Sequence, residues 1–289
     1  MPAHTLPIIR KPNLKTVITV HDLGSEYLSA MHQLKQRLYL SYMQKIQLKT
    51  ATKIIAVSKA TKQDLVKRIG INPQKIEVVY EGYDQRIFKP IKNDLLVNSL
   101  KRYELKPGSY FLFVGTVQPR KNLERLIKAF SVHLEGEKRR PHLRGGLKLV
   151  IVGNRGWLSD QIYALPKHLG IEDRVKFLGY VPEKDLPYFY SGAIALTFPS
   201  FFEGFGLPIL EAQACGCPVL TSNVSSMPEM AGQGAIFVDP YNIDDIVEGM
   251  VRIKNQESRI KLIKRGFENI KRFSWEKCAR ETLEVLEIL

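Results

Sequence analysis

The chain has 289 residues, enough for about two domains of ordinary size, and its 44% hydrophobic and 25% charged content is that of a soluble globular protein. No apolar run approaches the roughly 20 residues of a membrane-spanning helix, and the opening "MPAHTLPIIRKPNLK" carries no secretory signal, so cytoplasmic residence is the default expectation. A net charge of +14 favours anionic partners; with no aromatic-interleaved basic cluster, peripheral contact with an anionic membrane at its inner face ranks above nucleic acid, which is not expected.

In chain order, short β-branched runs read as buried strands at 16–20, 53–57, 75–80, 110–115, 147–153, 174–179, 193–199, 218–222 and 235–239. Helical periodicity falls between them, at 33–50, 59–69, 122–135, 159–169, 183–190, 207–215, 242–254 and 256–271. Strands apolar on both faces, alternating with amphipathic helices, indicate parallel α/β layers. Pro90, Pro107 and several polar residues break the rhythm over 88–108, which marks a domain boundary. Six strand–helix units after it make one complete Rossmann-like domain, whereas the three strands before it are few for an independent doubly wound sheet. The expected division is 1–105, 106–272 and a closing helix over 273–289 that packs back on the first part.

Cys215, Cys217 and Cys278 form no disulfide framework, and the C-x-C at 215–217 lacks a second ligand pair for zinc. Packing is the better reading, and no metal site is assigned.

Two turns seek phosphate. In "YFLFVGTVQPRKNLERLIKAF" (110–130), Gly115 allows a tight exit from a strand and Asn122 is placed as a helix N-cap. Arg120 and Lys121 then stand beside a helix N-terminus whose free N–H groups favour anions. The residues alone leave a pair of solvated surface cations equally open. In "FFEGFGLPILEAQACGCP" (201–218), Pro208 suits the first helical position and Gly216 the left-handed C-terminal one. Gly204 and Gly206 let backbone amides approach a ligand, with Glu203 on the approach and Glu211 one turn inside the helix. Carboxylates beside phosphates serve best as acceptors for hydroxyls, which points to a ligand with phosphates in the middle and hydroxyls at both ends. Charges that merely complement a helix N-terminus are the plainer alternative.

These segments closely resemble the retaining GT-B glycosyltransferases of family 4. "FVGTVQPRKNLERLIKAF", "LVIVGNRGW", "VKFLGYVPEKDLPYFYSGA", "FPSFFEGFGLPILEAQACGCPVLTS" and "PEMAGQGAIFVDP" follow that family's order. "TVITVHDLG", "IIAVSKATKQDL" and "VVYEGYD" resemble its "HD", "VS…T…DL" and "NG(V/Y)D" segments, and "FSWEKCARETLEVL" its C-terminal helix. The resemblance implies two Rossmann-like domains, the N-terminal one incomplete, because "PAHTLP" lies well inside the family's first domain and here follows Met1. An exposed sheet edge there is an expected aggregation risk.

By position, the resemblance assigns Arg120 and Lys121 to the donor diphosphate, Glu203 to the transferred sugar and Glu211 to the ribose. Gly115 and Thr116 belong to the donor-binding turn, Thr116 standing where some relatives carry arginine, and Gly153 lies on the loop neighbouring the nucleobase loop. Tyr180 and Val181 match the nucleobase loop. Phe205, Gly206 and Leu207 match the bend whose amides meet sugar and phosphate, and His21 the histidine supplied by the other domain. Ser58 and Thr61 read as a helix cap supported by Asp64, and His4 receives no role.

The implied reaction moves a hexosyl group from a nucleoside-diphosphate sugar, GDP-mannose or a UDP-sugar, to a hydroxyl of a glycan or lipid-linked acceptor. The configuration is retained, and no metal and no cofactor beyond the donor are required. Competing expectations are an impaired nucleotide-sugar-binding fragment lacking the acceptor half, a GT-B epimerase, and a basic nucleic-acid binder.

Overall fold

The computed structural model describes residues 14–23, 45–138 and 146–289, which fall into two compact units. One takes the described residues up to Tyr83 together with Phe202–Phe205 and Phe273–Leu289; the other takes Asp84–Phe201 and Gly206–Arg272. His4 and most of the helix expected at 33–50 lie outside the described residues; 45–50 are helical.

The first unit is built on a parallel sheet of β1 (Val17–Val20), β2 (Lys53–Ala56) and β3 (Ile76–Val78), in that order. Register Ile18↔Ile54↔Ile76 stacks three isoleucines on one face. There they join Val20, Leu48, Leu65 and Ile69 in a buried core. On the other face Ile55 and Val79 meet Val285 and Cys278 of the last helix. Helix α1 (Lys59–Asp64) follows β2 and runs on into a π-helical turn, Leu65–Ile69, ended by Gly70 at φ 75°. Its N-cap is Ser58, whose Oγ accepts from the Thr61 N–H at 3.0 Å. Asp64 stands at the far end of that helix, 3.5 Å from Arg68.

The second unit carries a six-stranded parallel sheet. Its strands are β4 (Tyr110–Val114), β5 (Lys148–Val152), β6 (Val175–Gly179), β7 (Ala195–Phe198), β8 (Val219–Ser222) and β9 (Ala235–Val238). Their order is β6-β5-β4-β7-β8-β9, the doubly wound arrangement, with β4 buried at every position. Helices α3 (Leu123–Lys138), α4 (Asp160–His168) and α8 (Ile243–Ile253) pack with one another, α3 touching both of the others. A second set comprises α2 (Asn93–Lys101), α5 (Leu186–Gly192), α6 (Leu207–Ala214), α7 (Met227–Ala231) and α9 (Gln256–Ile270), with α6 touching α5, α7 and α9. The chain closes with α10 (Trp275–Glu287) in the first unit, capped by Ser274.

Helix α2 lies inside the stretch read from sequence as an interruption. Its Leu96 and Leu100, four residues apart, are buried and supply the packing that the surrounding Asp and Ser residues conceal.

Candidate functional site

In the second unit, strand order reverses between β4 and β7, the switch point at which a doubly wound sheet opens its ligand crevice at the carboxyl edge. Three strand ends are laced together there. The Gly115 N–H donates to Val152 O, and the Gly153 N–H to Gly179 O, each at 2.8 Å. Gly153 has φ 144°, and a Cβ on it would fall on the Gly115 carbonyl, so the two loops approach as closely as glycine alone permits. Thr116, next along, is exposed.

The dibasic turn sits on this frame. Pro119–Lys121 form one turn of 3-10 helix, and the Arg120 carbonyl accepts from the Phe201 N–H at 3.1 Å, which ties the turn to the loop leaving β7. Arg120 is half-buried. Lys121 is only 8% exposed; its Cε would lie 3.8 Å from a Cβ on Gly115, and its Nζ stands 5.1 Å from the Phe198 ring centroid. An aromatic face attracts an ammonium placed over it. Lys121 is therefore built into the crevice rather than solvated on its rim.

Asn122 corrects the sequence reading. Its φ is 59°, a left-handed conformation, and its side chain does not cap α3. Instead Nδ2 donates to Pro199 O at 2.9 Å and to Pro240 O at 2.7 Å. The buried amide fastens the loops after β7 and β9 to the dibasic turn, so it orders the crevice rather than the helix.

At the end of β6, Gly179 turns at φ 68° and presents Tyr180, which is 71% exposed. Val181 is buried. Beyond β7, Gly206 has φ 108° and opens α6, with Leu207 half-buried and Pro208 in the first turn, as the sequence indicated.

Glu211, on α6, accepts a hydrogen bond at Oε2 from the Tyr190 hydroxyl at 2.6 Å. Burial pushes its carboxyl up to about 7; the tyrosine pulls the other way and Glu183 adds to the rise. Burial thus favours the neutral carboxyl, and a hydrogen-bond donor such as the Tyr190 hydroxyl favours the carboxylate. Burial likewise raises Cys215 and Cys217, the latter to about 12, which leaves both thiols inert packing groups.

The first unit holds the remaining residues. The loop 202–205 belongs to it, and a Cβ on Gly204 would fall on the His21 carbonyl oxygen, so loop and histidine meet through bare backbone. Ser58 and Thr61 both donate to Gly204 O, at 2.6 and 3.2 Å. The helix cap therefore doubles as the anchor of this loop. Glu203 and Phe205 are buried, and Phe205 packs near Tyr80 and Phe273 at centroid distances of 6.4 and 6.0 Å. His21 is bound through Nδ1 to Glu81 Oε1 at 2.7 Å, which raises its pKa above the ordinary value against the opposing effect of burial; Asp22 adds to the rise.

The structure thus gathers the expected residues into two groups. Gly115, Thr116, Gly153, Arg120, Lys121, Tyr180, Val181, Gly206, Leu207 and Glu211 lie on the loops and first helical turns that follow the strands of the second unit, and His21, Glu203 and Phe205 lie together in the first. Sequence reasoning missed Tyr190 and Glu81. A tyrosine on a buried helix face needs a partner for its hydroxyl, which was the available signal for the first. For the second it was a carboxylate standing where the resembled segment has an amide.

Family models match nearly the whole chain: "Glycosyl transferases group 1" over residues 99–269 and "Glycosyltransferase Family 4" over residues 2–86. The O-antigen chain mannosyltransferase B of Escherichia coli is 32% identical over 277 residues, covering 95% of this chain and 71% of that protein. The O-antigen chain mannosyltransferase RfbU of Salmonella typhimurium strain LT2 is 29% identical over 273 residues, with 94% and 68% covered. Anabaena HepE, solved in complex with UDP-glucose, superimposes with a TM-score of 0.78 at 20% identity, over 95% of this chain and 72% of that one, which shows a shared fold. With its two parallel α/β units and its glycine-laced crevice, the chain belongs to the glycosyl transferases group 1 family and is a hexosyltransferase of the GT-B fold.

Proposed function

We propose that this chain transfers a hexosyl group from a nucleoside-diphosphate sugar to a hydroxyl of a glycan or lipid-linked acceptor, with retention at the anomeric carbon. The observation that carries the reading is Lys121, a buried cation held beside the Gly115 turn at the switch point of the sheet. A cation fixed there, with glycine-lined amides around it, suits a diphosphate better than any neutral ligand. The names of the mannosyltransferase relatives favour GDP-mannose as donor and a surface polysaccharide as product; HepE, solved with UDP-glucose, keeps a UDP-sugar as the second candidate.

Arg120, Lys121 and the loop amides at Gly115, Thr116, Gly153, Gly206 and Leu207 take the diphosphate. Tyr180 and the Val181 backbone take the base, and Glu211 the ribose hydroxyls. The resemblance assigns Glu203 to the transferred sugar, the bend at Phe205 to sugar and phosphate, and His21 to the sugar and β-phosphate. In the reaction the acceptor oxygen bonds to the anomeric carbon as the bond from that carbon to the phosphate oxygen breaks on the same face. The bonding pair leaves with the diphosphate, and the acceptor proton passes to a phosphate oxygen. Cations and amides offset the charge that develops on the leaving group. The reading includes peripheral contact with an anionic membrane, supported by the net charge of +14.

Calorimetry with GDP and UDP, alongside a transfer assay with the matching donors, tests this. Lys121→Ala is expected to weaken nucleotide binding by roughly 10- to 100-fold, the worth of a charge-assisted contact, and to abolish transfer. Unchanged nucleotide affinity in that variant removes the assignment. Binding without turnover in the wild-type chain would leave a nucleotide-sugar-binding protein.

A further inference from the structure

Strand β9 is an edge of the six-stranded sheet. The Asn223 N–H donates to Val238 O at 2.9 Å, so Val238 faces β8, and by alternation Ile236 faces it too. Ala235 and Phe237 then point their N–H and C=O groups outward. Asp239, the next outward position, is closed by Asp245, which accepts from its N–H at 2.6 Å. Ala235 and Phe237 have no outer partner among the described residues.

A cleft of about 670 Å³ runs along this edge, and its opposite wall carries Arg252, Lys261 and Arg265 with no carboxylate among its lining residues. A second cleft, about 610 Å³, continues from Lys261 and Arg265 past Lys264. Arg252, Lys264 and Arg265 have no ion-pair partner among the described residues, and Lys261 meets only Glu257. The one acid lining the second cleft, Glu268, is held by Lys271 at 2.7 Å.

We propose that the outer edge of β9 and the cationic wall beside it form a docking groove for an extended acidic segment of a partner protein, which adds to the sheet as its next strand. Two features select that occupant. Phosphate or a phosphatidylglycerol headgroup offers acceptors for the cations but no N–H for the Ala235 and Phe237 carbonyls, whereas a polypeptide backbone satisfies donors and acceptors alike along the whole edge. A second copy of this chain would bring the same cations face to face, so the groove repels its own kind. The cations that guard the edge against self-association therefore choose the sign of what can pair with it. The groove lies wholly in the second unit and involves none of the residues assigned to the donor.

Fluorescence anisotropy tests it on the whole chain with a labelled, end-blocked octapeptide alternating Val and Glu. Two controls are its Gln counterpart and a form N-methylated on alternate residues. Micromolar binding is expected for the acidic peptide, with a loss of about tenfold or more for each control. The same loss is expected for the Arg252→Glu/Arg265→Glu variant, whose fold is checked by circular dichroism. Equal binding of the N-methylated peptide, made on the wild-type protein, would show charge attraction without strand pairing and overturn the proposal. So would absent binding of the acidic peptide. Co-sedimentation with phosphatidylglycerol vesicles that depends on both arginines, without peptide binding, would overturn it in favour of a lipid surface.

Discussion

Replacing Tyr190 by Phe removes a single oxygen and isolates what prepares Glu211 for a ribose. The hydroxyl it deletes donates to Glu211 Oε2 at 2.6 Å and counters the upward push of burial and Glu183. With the carboxyl held at about 7, hydroxyl donors meet a carboxylate above that pH and must displace a proton below it. Affinity for GDP or UDP should therefore fall by about tenfold per pH unit below 7 and level off above. A hydrogen bond to a charged group is worth about 1.5–3 kcal/mol, so Tyr190→Phe should move the bend upward and weaken binding near pH 7 by roughly 10- to 100-fold, the deficit narrowing by pH 9. The linkage to folding has the opposite sense to that of an ordinary ion-paired acid. A carboxyl raised from 4.5 to about 7 destabilises the empty protein by roughly 3 kcal/mol above pH 7, and the cost fades as pH falls toward 4.5. Calorimetric titrations from pH 6 to 9, repeated with 2′,3′-dideoxy nucleotides, read both effects. If the wild type does not discriminate against the dideoxy form, Glu211 does not hold the ribose. If it does and Tyr190→Phe keeps the full penalty, the tyrosine is only packing.

Two further substitutions probe the frame. With the His21 pKa raised by Glu81, the pair stabilises the fold fully below pH 6.5, and that contribution is lost as pH rises through the folded value. Glu81→Gln should therefore lower the His21 pKa seen by NMR and reduce stability at pH 6, by about 1 kcal/mol or less because the histidine is 48% exposed, with no deficit at pH 9. Equal deficits at both pH values would exclude the ion pair as the cause. Asn122→Gly keeps the left-handed backbone but strands the Pro199 and Pro240 carbonyls, and should cost about 2 kcal/mol in urea unfolding. Asn122→Ala adds about 1 kcal/mol of backbone strain at φ 59°. A glycine variant as stable as the wild type would deny the side chain any tying role.

What was legible in the sequence, and what was not, divides along a physical line. The sheet of the second unit could be read because each buried parallel strand must be apolar on both faces, and runs such as "YFLFV" and "KLVIV" satisfy that locally. Gly115 and Gly206 could be read because a tight turn calls for glycine locally: their φ values are 148° and 108°, which hardly any other residue adopts. Asn122 misled because its type suits two jobs, a helix cap and a left-handed bridge, and the carbonyls that decide between them lie 77 and 118 residues away. Tyr190 and Glu81 escaped likewise, since their partners stand 21 and 60 residues off. Glu203 and Glu211, eight positions apart, look like one pair along the chain, yet the loop 202–205 is fastened to Ser58 and Thr61 of the first unit while Glu211 answers to Tyr190 of the second. Spacing reports which side chains a backbone can bring near one another. Which unit fixes each of them depends on hydrogen bonds that close only in the folded chain, and in this protein those bonds belong to Ser58, Asn122 and Tyr190.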